Sequence, residues 1–431
     1  MSNILIKNGR VIDPSQGMDR VSNVLIEDGR ISAYDVKVEE KPINGSMRLI
    51  DATGKIVAPG LIDMHVHLRE PGREEDETIR SGTAAALAGG FTSIVCTPNT
   101  NPPMDSQGTV QFVQRQAAEA DNCNVYPMAC ISKNRAGEEL AEMGTLVEAG
   151  AVAFSDESSP VANSELMRRA LEYLLMFDKP VLNHPQVAEL TADGVMHEGL
   201  VSMVLALPGI PAEAEDVMTG RDLSLAESTG GKIHMMHLST AGSIDMIRRA
   251  KTRGVRVTAE VCPHHFSLTD ETLRSFDSNF KMNPPLRDSD HLDACIAGLT
   301  DGTIDVIASD HAPHAVEKKM RELDQAPFGA ISLETSLALV ITNLIQPGHL
   351  DWMTALEKMT INPAQILGIA KGTLQIGSDA DVTIIDPENI WTVDPEKFYS
   401  KSRNSPFIGK SLTGRAETVI VAGRVKFERG S

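Results

Sequence analysis

The sequence is poor in aromatic residues and cysteine, and it has no long apolar run. Aromatic residues make up 4% of the 431 positions, and the five cysteines are scattered, odd in number and never two residues apart. That pattern argues against a disulfide framework and favours a reduced, cytoplasmic interior. No segment approaches the roughly 20 uninterrupted apolar residues of a membrane span, and the N-terminus lacks a signal-peptide pattern. Neither export nor a membrane partner is expected.

Basic residues are also in short supply. Lys and Arg total 40 against 59 Asp and Glu, which gives a formal net charge of −19 at pH 7. The negative electrostatic field of such a protein repels phosphates and anionic lipid surfaces at long range, so we expect no nucleic-acid partner. An anionic substrate would have to meet arginines that are placed locally.

The two ends of the chain look alike and differ from its middle. Residues 1–55 read as β-hairpins, with Asn8-Gly9 and Asp28-Gly29 as candidate turns, and hairpin-like segments return over 367–431. Each end alone would bury little core, so we predict one small β-domain built from both. Two separate small β-domains are the alternative.

The middle of the chain, residues 56–366, alternates short apolar strands with helical stretches. Eight such strands can be counted, which together predict an α/β fold with a closed (β/α)8 TIM-like barrel. The strands are predicted over 56–67, 91–99, 124–132, 150–157, 179–184, 232–237, 255–265 and 304–311.

Candidate metal ligands end several of these strands. His65 and His67 share one face of the first strand because strand side chains alternate between faces. His184, His237 and Asp310 end the fifth, sixth and eighth strands, and barrel enzymes collect their chemistry at this end. The pair of histidines alone could be merely packed or solvent-facing. With the others they match Zn²⁺ best, and Mn²⁺, Co²⁺ and Fe²⁺ are chemically acceptable.

Several longer motifs point to a known family. Together they resemble the amidohydrolase superfamily, and specifically the dihydroorotases of the long bacterial type (class I), over effectively the whole chain. The motifs are HVHLREPG, GGFTSIVCTPNTNPP, NPPLR, ASDHAPH, INPAQILGI, GSDADV and SKSRNSPFIG. The resemblance implies reversible cyclisation of N-carbamoyl-L-aspartate to dihydroorotate in pyrimidine (UMP) synthesis. It also implies that His65, His67, His184, His237 and Asp310 bind zinc, with Asp310 as catalytic base and acid.

The resemblance also implies a set of substrate-binding positions. A bidentate guanidinium such as that of Arg69 suits a carboxylate, and a cation can lower the pKa of a water molecule and polarise the ring carbonyl. Simpler interpretations stay open: a surface salt bridge for Arg69, turn formation for the two asparagines, and a loop role for His314. The implied positions are His67, Leu68, Arg69, Asn99, Asn283, His314, Phe328 and Gly329.

The fourth strand departs from the family pattern. The family has Phe-Thr-Asp-Asp-Gly where this chain has FSDES over 154–158, so Glu157 takes the position of the second acidic residue. Strand alternation also places Glu157 with small residues on the axial face, and Asp156 on the other. We predict Glu157 as a metal ligand, with one or two Zn²⁺ per chain, and Asp156 as the alternative. A second departure follows His184, where Gln186 stands in a stretch that is often acidic in the family.

Two other functions compete with a dihydroorotase. A hydantoinase or allantoinase would share the barrel, the metals and the ring-opening chemistry. A non-catalytic dihydroorotase-like subunit would only support aspartate carbamoyltransferase, which is also a candidate partner of an active enzyme. We further expect a homo-oligomer.

Overall fold

The computed structural model describes residues 3–36 and 47–430, so part of the predicted N-terminal segment 1–55 lies outside the described residues. No helix in these ranges is both long and apolar enough to cross a membrane. The strands are β1 (Ile4–Asp13), β2 (Met18–Glu27), β3 (Arg30–Tyr34), β4 (Arg48–Asp51), β5 (Ile56–Pro59), β6 (Leu61–Val66), β7 (Phe91–Cys96), β8 (Asn124–Ala129), β9 (Ala153–Phe154), β10 (Val181–Asn183), β11 (Met196–His197), β12 (Gly209–Ile210), β13 (Ile233–Met235), β14 (Val257–Val261), β15 (Val306–Ile307), β16 (Val382–Thr392), β17 (Ser411–Val421) and β18 (Arg424–Glu428).

Most helices lie between the strands of the middle region. The α-helices are α1 (Ile79–Gly89), α2 (Gln107–Ala120), α3 (Met143–Glu148), α4 (Ser164–Leu174), α5 (Leu200–Leu205), α6 (Glu213–Thr229), α7 (Ala241–Thr252), α8 (Ser289–Thr300), α9 (Val316–Lys319), α10 (Leu333–Val340), α11 (Trp352–Glu357) and α12 (Ile361–Leu367). A π-helical segment, Ile341–Ile345, continues α10. Side-chain caps mark several starts: Thr78 and Ser81 form a capping box on α1, and Ser106 and Thr240 cap α2 and α7.

Strands from both chain ends form one sheet. Its order is β18-β17-β16-β5-β1-β2-β3, with β4 paired to β1. The contact between β5 and β16 joins the N-terminal strands to the C-terminal ones. The apolar faces of these strands pack into a core of their own, which includes Ile6, Val24, Ile26 and Ile384. The predicted small β-structure from both ends is therefore present.

One of the two predicted hairpin turns is wrong. Asp28-Gly29 does turn β2 into β3, with φ of 50° and 79°. Asn8-Gly9 instead lies within β1, at a register shift of its pairing with β2. A Cβ at Gly9 would lie 2.4 Å from a methyl carbon of Val57, so this glycine permits the close approach of β5. The chain turns after β1 through residues 14–17.

The eight predicted barrel strands are present in the described chain and are parallel neighbours. Their order is β6-β7-β8-β9-β10-β13-β14-β15, and a bridge between Val66 and His311 connects the last to the first. Apolar side chains of Ile62, Met64 and Met236 fill the barrel interior below the carboxyl ends of the strands. The larger core lies between the barrel and its helices and includes Val66, Leu68 and Phe154. This is the (β/α)8 architecture.

The first predicted strand is in fact two. Ile56–Pro59 belongs to the chain-end sheet, where it pairs with β1 and β16, and the barrel strand β6 begins at Leu61. Gly60 makes this change of sheet sterically feasible, because a Cβ there would lie only 2.0 Å from the Thr92 hydroxyl oxygen. A continuous apolar run in the sequence hid the break.

Candidate metal centre and substrate pocket

A cavity of about 490 Å³ opens at the carboxyl ends of the barrel strands. It holds most of the residues that the sequence suggested for the site. The residues that line it are His67, Arg69, Arg73, Asn99, Thr100, Asn101, Arg135, Glu157, Ser158, His184, Asn283, Asp310, Ala312, His314, Phe328 and Gly329.

The backbone at this rim adopts uncommon conformations. Besides Arg135 in the loop after β8, at 57°, four non-glycine residues at the site have positive φ: Arg69 at 62°, Ser158 at 59°, His237 at 33° and Asp310 at 47°. Such conformations are unfavourable for residues with a Cβ and cluster where a fold holds functional groups in place. Each of these residues lies just beyond a barrel strand, where the chain leaves the sheet.

Asp310, His65 and His67 form the first half of a buried cluster. Asp310 Oδ1 lies 3.2 Å from His67 Nε2 and 3.4 Å from His65 Nε2. His67 Nδ1 donates to Asn99 Oδ1 at 3.0 Å, and His65 Nδ1 donates to Glu260 Oε1 at 2.8 Å. When neutral, both imidazoles therefore direct an Nε2 lone pair towards a carboxylate, an arrangement that calls for a cation between them.

Glu157, His184 and His237 form the second half. Glu157 Oε1 lies 3.5 Å from His184 Nδ1, 3.7 Å from His65 Nε2 and 4.0 Å from His237 Nε2. His184 Nε2 donates to Gln186 Oε1 at 2.5 Å, so the Nδ1 lone pair of a neutral His184 faces the cluster. Gln186 therefore orients His184 where acidic residues are common in the family.

The two acidic residues at the fourth strand point in different directions. The carboxylate of Glu157 lies among the histidines, as strand alternation predicts. Asp156 Oδ1 instead accepts hydrogen bonds from the backbone N–H groups of Ile131 and Ser132, at 2.9 and 3.1 Å. Ser132 Oγ donates to the second carboxylate oxygen, Oδ2. Asp156 is therefore hydrogen-bonded to the neighbouring loop and is turned away from the cluster.

The donor set fits a divalent cation. Burial by itself would raise the pKa of Asp310, but the neighbouring His65 and His67 outweigh it and lower this pKa. Burial also opposes ionisation of Glu157, yet His184 and His65 lower its pKa well below the ordinary value. His65 Nε2, His237 Nδ1 and Glu157 Oε2 are buried without a hydrogen-bond partner among the described residues. Ionised carboxylates and imidazoles with free lone pairs are the usual ligands of Zn²⁺ and related ions.

Arg69 and His314 lie together on the other side of the cavity. Arg69 is 5% exposed, and its Nε donates to the Pro313 carbonyl at 3.1 Å, which excludes the surface salt-bridge interpretation. Burial and the nearby Arg73 lower the pKa of Arg69 to about 9, so the guanidinium keeps its charge at neutral pH. Burial and Arg69 lower the pKa of His314 to about 2, and its Nε2 donates to the Phe328 carbonyl at 2.8 Å.

Leu68 differs from the other suggested substrate contacts. Its side chain is fully buried in the core between the barrel and the helices, because it lies between His67 and Arg69 and points the opposite way. Any contact with a substrate would have to come from its backbone. Asn283 does line the cavity, and its Oδ1 is buried without a partner among the described residues.

Several residues around the site were not singled out from the sequence. Glu260, in β14, is buried and binds both His65 and His234, at 2.8 and 3.1 Å. The sequence signal that could have identified Glu260 is an acidic residue inside a mainly apolar strand. Arg73 and Arg135 add positive charge to the cavity, but nothing in the sequence separates them from other loop arginines.

Matches to known families agree with this geometry. Residues 54–243 match the family described as dihydro-orotase-like, and residues 218–427 match the amidohydrolase family. The fold resembles L-hydantoinase (dihydropyrimidinase) from Arthrobacter aurescens, with a TM-score of 0.89, 26% identity and coverage of 100% of this chain and 97% of the other. It also resembles a D-hydantoinase from Thermus sp., with a TM-score of 0.85 and 25% identity over 99% and 96% of the two chains. The barrel with its cluster of histidines and carboxylates is thus that of an amidohydrolase.

Sequence identity to proteins of assigned function shows which family of amidohydrolases this chain belongs to. The chain is 53% identical to the dihydroorotase of Pelotomaculum thermopropionicum over 98% of both chains. It is 51% identical to the dihydroorotase of Geobacter metallireducens over 99% of this chain and 100% of the other. The chain therefore belongs to the dihydroorotase family.

Proposed function

We propose that this protein is a dihydroorotase that interconverts N-carbamoyl-L-aspartate and dihydroorotate with the help of bound Zn²⁺. The observation that carries the proposal is the buried Arg69, which keeps its charge in the same cavity as Asp310 and Glu157. Dihydroorotate differs from simpler cyclic amides in its ring carboxylate, and a buried guanidinium is suited to bind it. Relatives named dihydroorotase at about half identity over nearly the full length support the same substrate.

Asp310 is proposed as the group that moves the proton. In the hydrolytic direction it takes a proton from the attacking water as the oxygen bonds to the ring amide carbon. It then delivers that proton to the nitrogen as the C–N bond breaks, and cyclisation follows the same steps in reverse. Its carboxylate lies within hydrogen-bond distance of His67 and is ionised at neutral pH, as a base must be.

The proposed cation ligands are His65, His67, His184, His237, Glu157 and Asp310. A divalent ion, if held by these residues, would supply a water molecule of lowered pKa and would polarise the amide carbonyl. Glu157 faces histidines of both halves of the cluster, which supports a site for two ions rather than one. Asn99 is proposed to serve two roles, since its Oδ1 orients His67 while its Nδ2 faces the cavity rim at Ser158.

Substrate contacts are proposed for Arg69, Asn99, Asn283, His314 and the backbone at Phe328 and Gly329, all of which line the cavity. Arg69 would bind the carboxylate, and the amides and backbone would hold the ring or ureido atoms. The structural likeness to hydantoinases makes a cyclic amidase of another specificity the second candidate. The substrates of such an enzyme lack the ring carboxylate, so it would have no need for a buried guanidinium such as that of Arg69.

A single assay series separates these functions. Purified protein with measured zinc content is supplied with dihydroorotate, dihydrouracil, hydantoin and allantoin, before and after treatment with a chelator. We expect turnover of dihydroorotate alone, its loss with chelator and its recovery with Zn²⁺. Turnover of hydantoin or allantoin but not dihydroorotate would contradict the proposed substrate. A folded, metal-replete protein without any turnover would favour the role of a subunit that supports aspartate carbamoyltransferase.

A further inference from the structure

The segment between β16 and β17 reaches from the chain-end sheet to the substrate cavity. It contains the SKSRNSPFIG motif, for which the proposed chemistry gives no role. Ser402 Oγ donates to the Asp76 carbonyl at 2.6 Å, and the Lys401 N–H donates to Glu77 Oε1 at 3.1 Å. These contacts fix the segment against the loop that follows β6.

Asn404, in the middle of this motif, holds two other loops. Its Nδ2 donates to the carbonyls of Ala312 and Gly329, both at 3.1 Å, and its Oδ1 accepts from the His314 N–H at 3.2 Å. The carbonyl of Asn404 accepts a further hydrogen bond from the Ile331 N–H at 2.9 Å. The side chain is 4% exposed, so solvent cannot replace these partners easily.

The partners of Asn404 are themselves part of the cavity wall. Ala312, His314 and Gly329 all line it, whereas Asn404 does not. One amide thus bridges the loop after β15 and the loop that carries Phe328 and Gly329. Its orientation is determined by the partners, because the reverse orientation would place an NH₂ group against an N–H and an oxygen against two carbonyls.

We infer that Asn404 is a positioning residue that sets the spacing of His314 and Gly329 for substrate binding. This inference rests on the proposed function, since it assigns Asn404 to the binding of dihydroorotate. The segment that supplies it connects β16 and β17 of the chain-end sheet, so the chain ends contribute to substrate affinity without touching substrate. A substrate held between two loops binds less well when their spacing is not maintained, and small displacements can cost about 100-fold.

Asn404→Ala removes all three side-chain hydrogen bonds. Asn404→Asp keeps the acceptor for His314 but loses both donors and turns an oxygen towards two carbonyls. We expect both variants to raise KM for dihydroorotate by about 10- to 100-fold, with kcat per zinc-loaded site within about threefold. A general loss of stability would lower the active fraction, and hence the apparent kcat, without raising KM. Asn389→Ala and Asn389→Asp, at an exposed asparagine of β16, are the matched controls and should leave both constants unchanged.

Hydrogen–deuterium exchange gives a second measurement that does not need activity. In Asn404→Ala we expect faster exchange in peptides covering 312–315 and 328–331, with the barrel strands unchanged. Unchanged exchange in both peptides, or an unchanged KM in an active protein, would overturn the inference. A wild-type protein that ignores dihydroorotate would instead overturn the proposed function, and the exchange data would still decide whether Asn404 fixes the two loops.

Discussion

The barrel mouth, where the cavity opens at the carboxyl ends of the strands, differs from the chain-end sheet in the kind of residue that it buries. The core of the sheet is built from apolar residues such as Ile6, Val24 and Ile384. At the barrel mouth, His65, His237 and Glu157 each have a buried polar atom without a hydrogen-bond partner in the described part of the chain. Unsatisfied buried polar atoms lower stability, so the mouth is arranged for ligands at the expense of the fold.

This difference assigns separate tasks to the two regions. The sheet joins both ends of the chain and provides apolar burial, while the mouth concentrates charged groups, some of which have buried polar atoms without a hydrogen-bond partner among the described residues. Variants at the mouth should therefore change activity more than stability, and variants in the sheet the reverse. Asn404 is the proposed exception, because it belongs to the sheet region but acts at the mouth.

The largest effect is expected for Asp310→Asn. The amide cannot take up and return a proton at neutral pH, so kcat should fall by about 10²–10⁴-fold, and further if metal binding also weakens. Steady-state assays at matched zinc content measure this, with the exposed Asp290→Asn as control. An Asp310→Asn protein within a few-fold of wild type would remove Asp310 from the mechanism.

The second-largest effect is expected on metal content, in variants of Glu157. Glu157→Gln should lower the number of zinc ions bound per chain, because a neutral amide does not offset the charge of the ions. Asp156→Asn should leave zinc content nearly unchanged, since Asp156 hydrogen-bonds to the loop at Ile131 and Ser132. Glu157→Asp, which restores the common family residue, should retain metal. Metal analysis after dialysis decides the matter, and zinc loss in Asp156→Asn but not in Glu157→Gln would reverse the assignment.

Arg69→Lys should have a smaller, more selective effect. The charge is retained but the planar fork is lost, so KM for dihydroorotate should rise about tenfold or more, given about 1.5–3 kcal/mol for a charge-assisted hydrogen bond. Zinc content should not change. The exposed Arg80→Lys is the matched control. Equal KM values for wild type and Arg69→Lys would mean that another group binds the carboxylate.

The smallest effect on catalysis is expected from the sheet core. Ile26 is 1% exposed, and Ile26→Ala should lower the free energy of unfolding by about 2–5 kcal/mol through the lost burial and the resulting cavity. Urea denaturation measures this loss, and KM measured on the folded protein should stay the same. A clear rise in KM would show that the two regions are not as separate as their cores indicate.

Sequence patterns predicted those elements correctly whose structure depends only on neighbouring residues. The barrel strands, the Asp28-Gly29 turn and the inward direction of Glu157 all follow from alternation and turn chemistry over a few residues. The same rules failed at Asn8-Gly9 and at Gly60, because those glycines are needed for contact with Val57 and Thr92, which lie far along the chain. The residues that neighbour each glycine in the sequence do not indicate that contact.

By itself, the sequence determined the fold class, the chemistry of the donor set and the strand ends that present it. Residue types and their spacing carry that information, since strand ends in a barrel converge whatever the loops do. Only the tertiary structure decided which atoms of distant segments face each other: Glu260 behind His65, and Asn404 between His314 and Gly329. A hydrogen bond is made or lost when the distance between donor and acceptor changes by a few tenths of an ångström, and no spacing along the chain encodes such distances between segments that packing brings together.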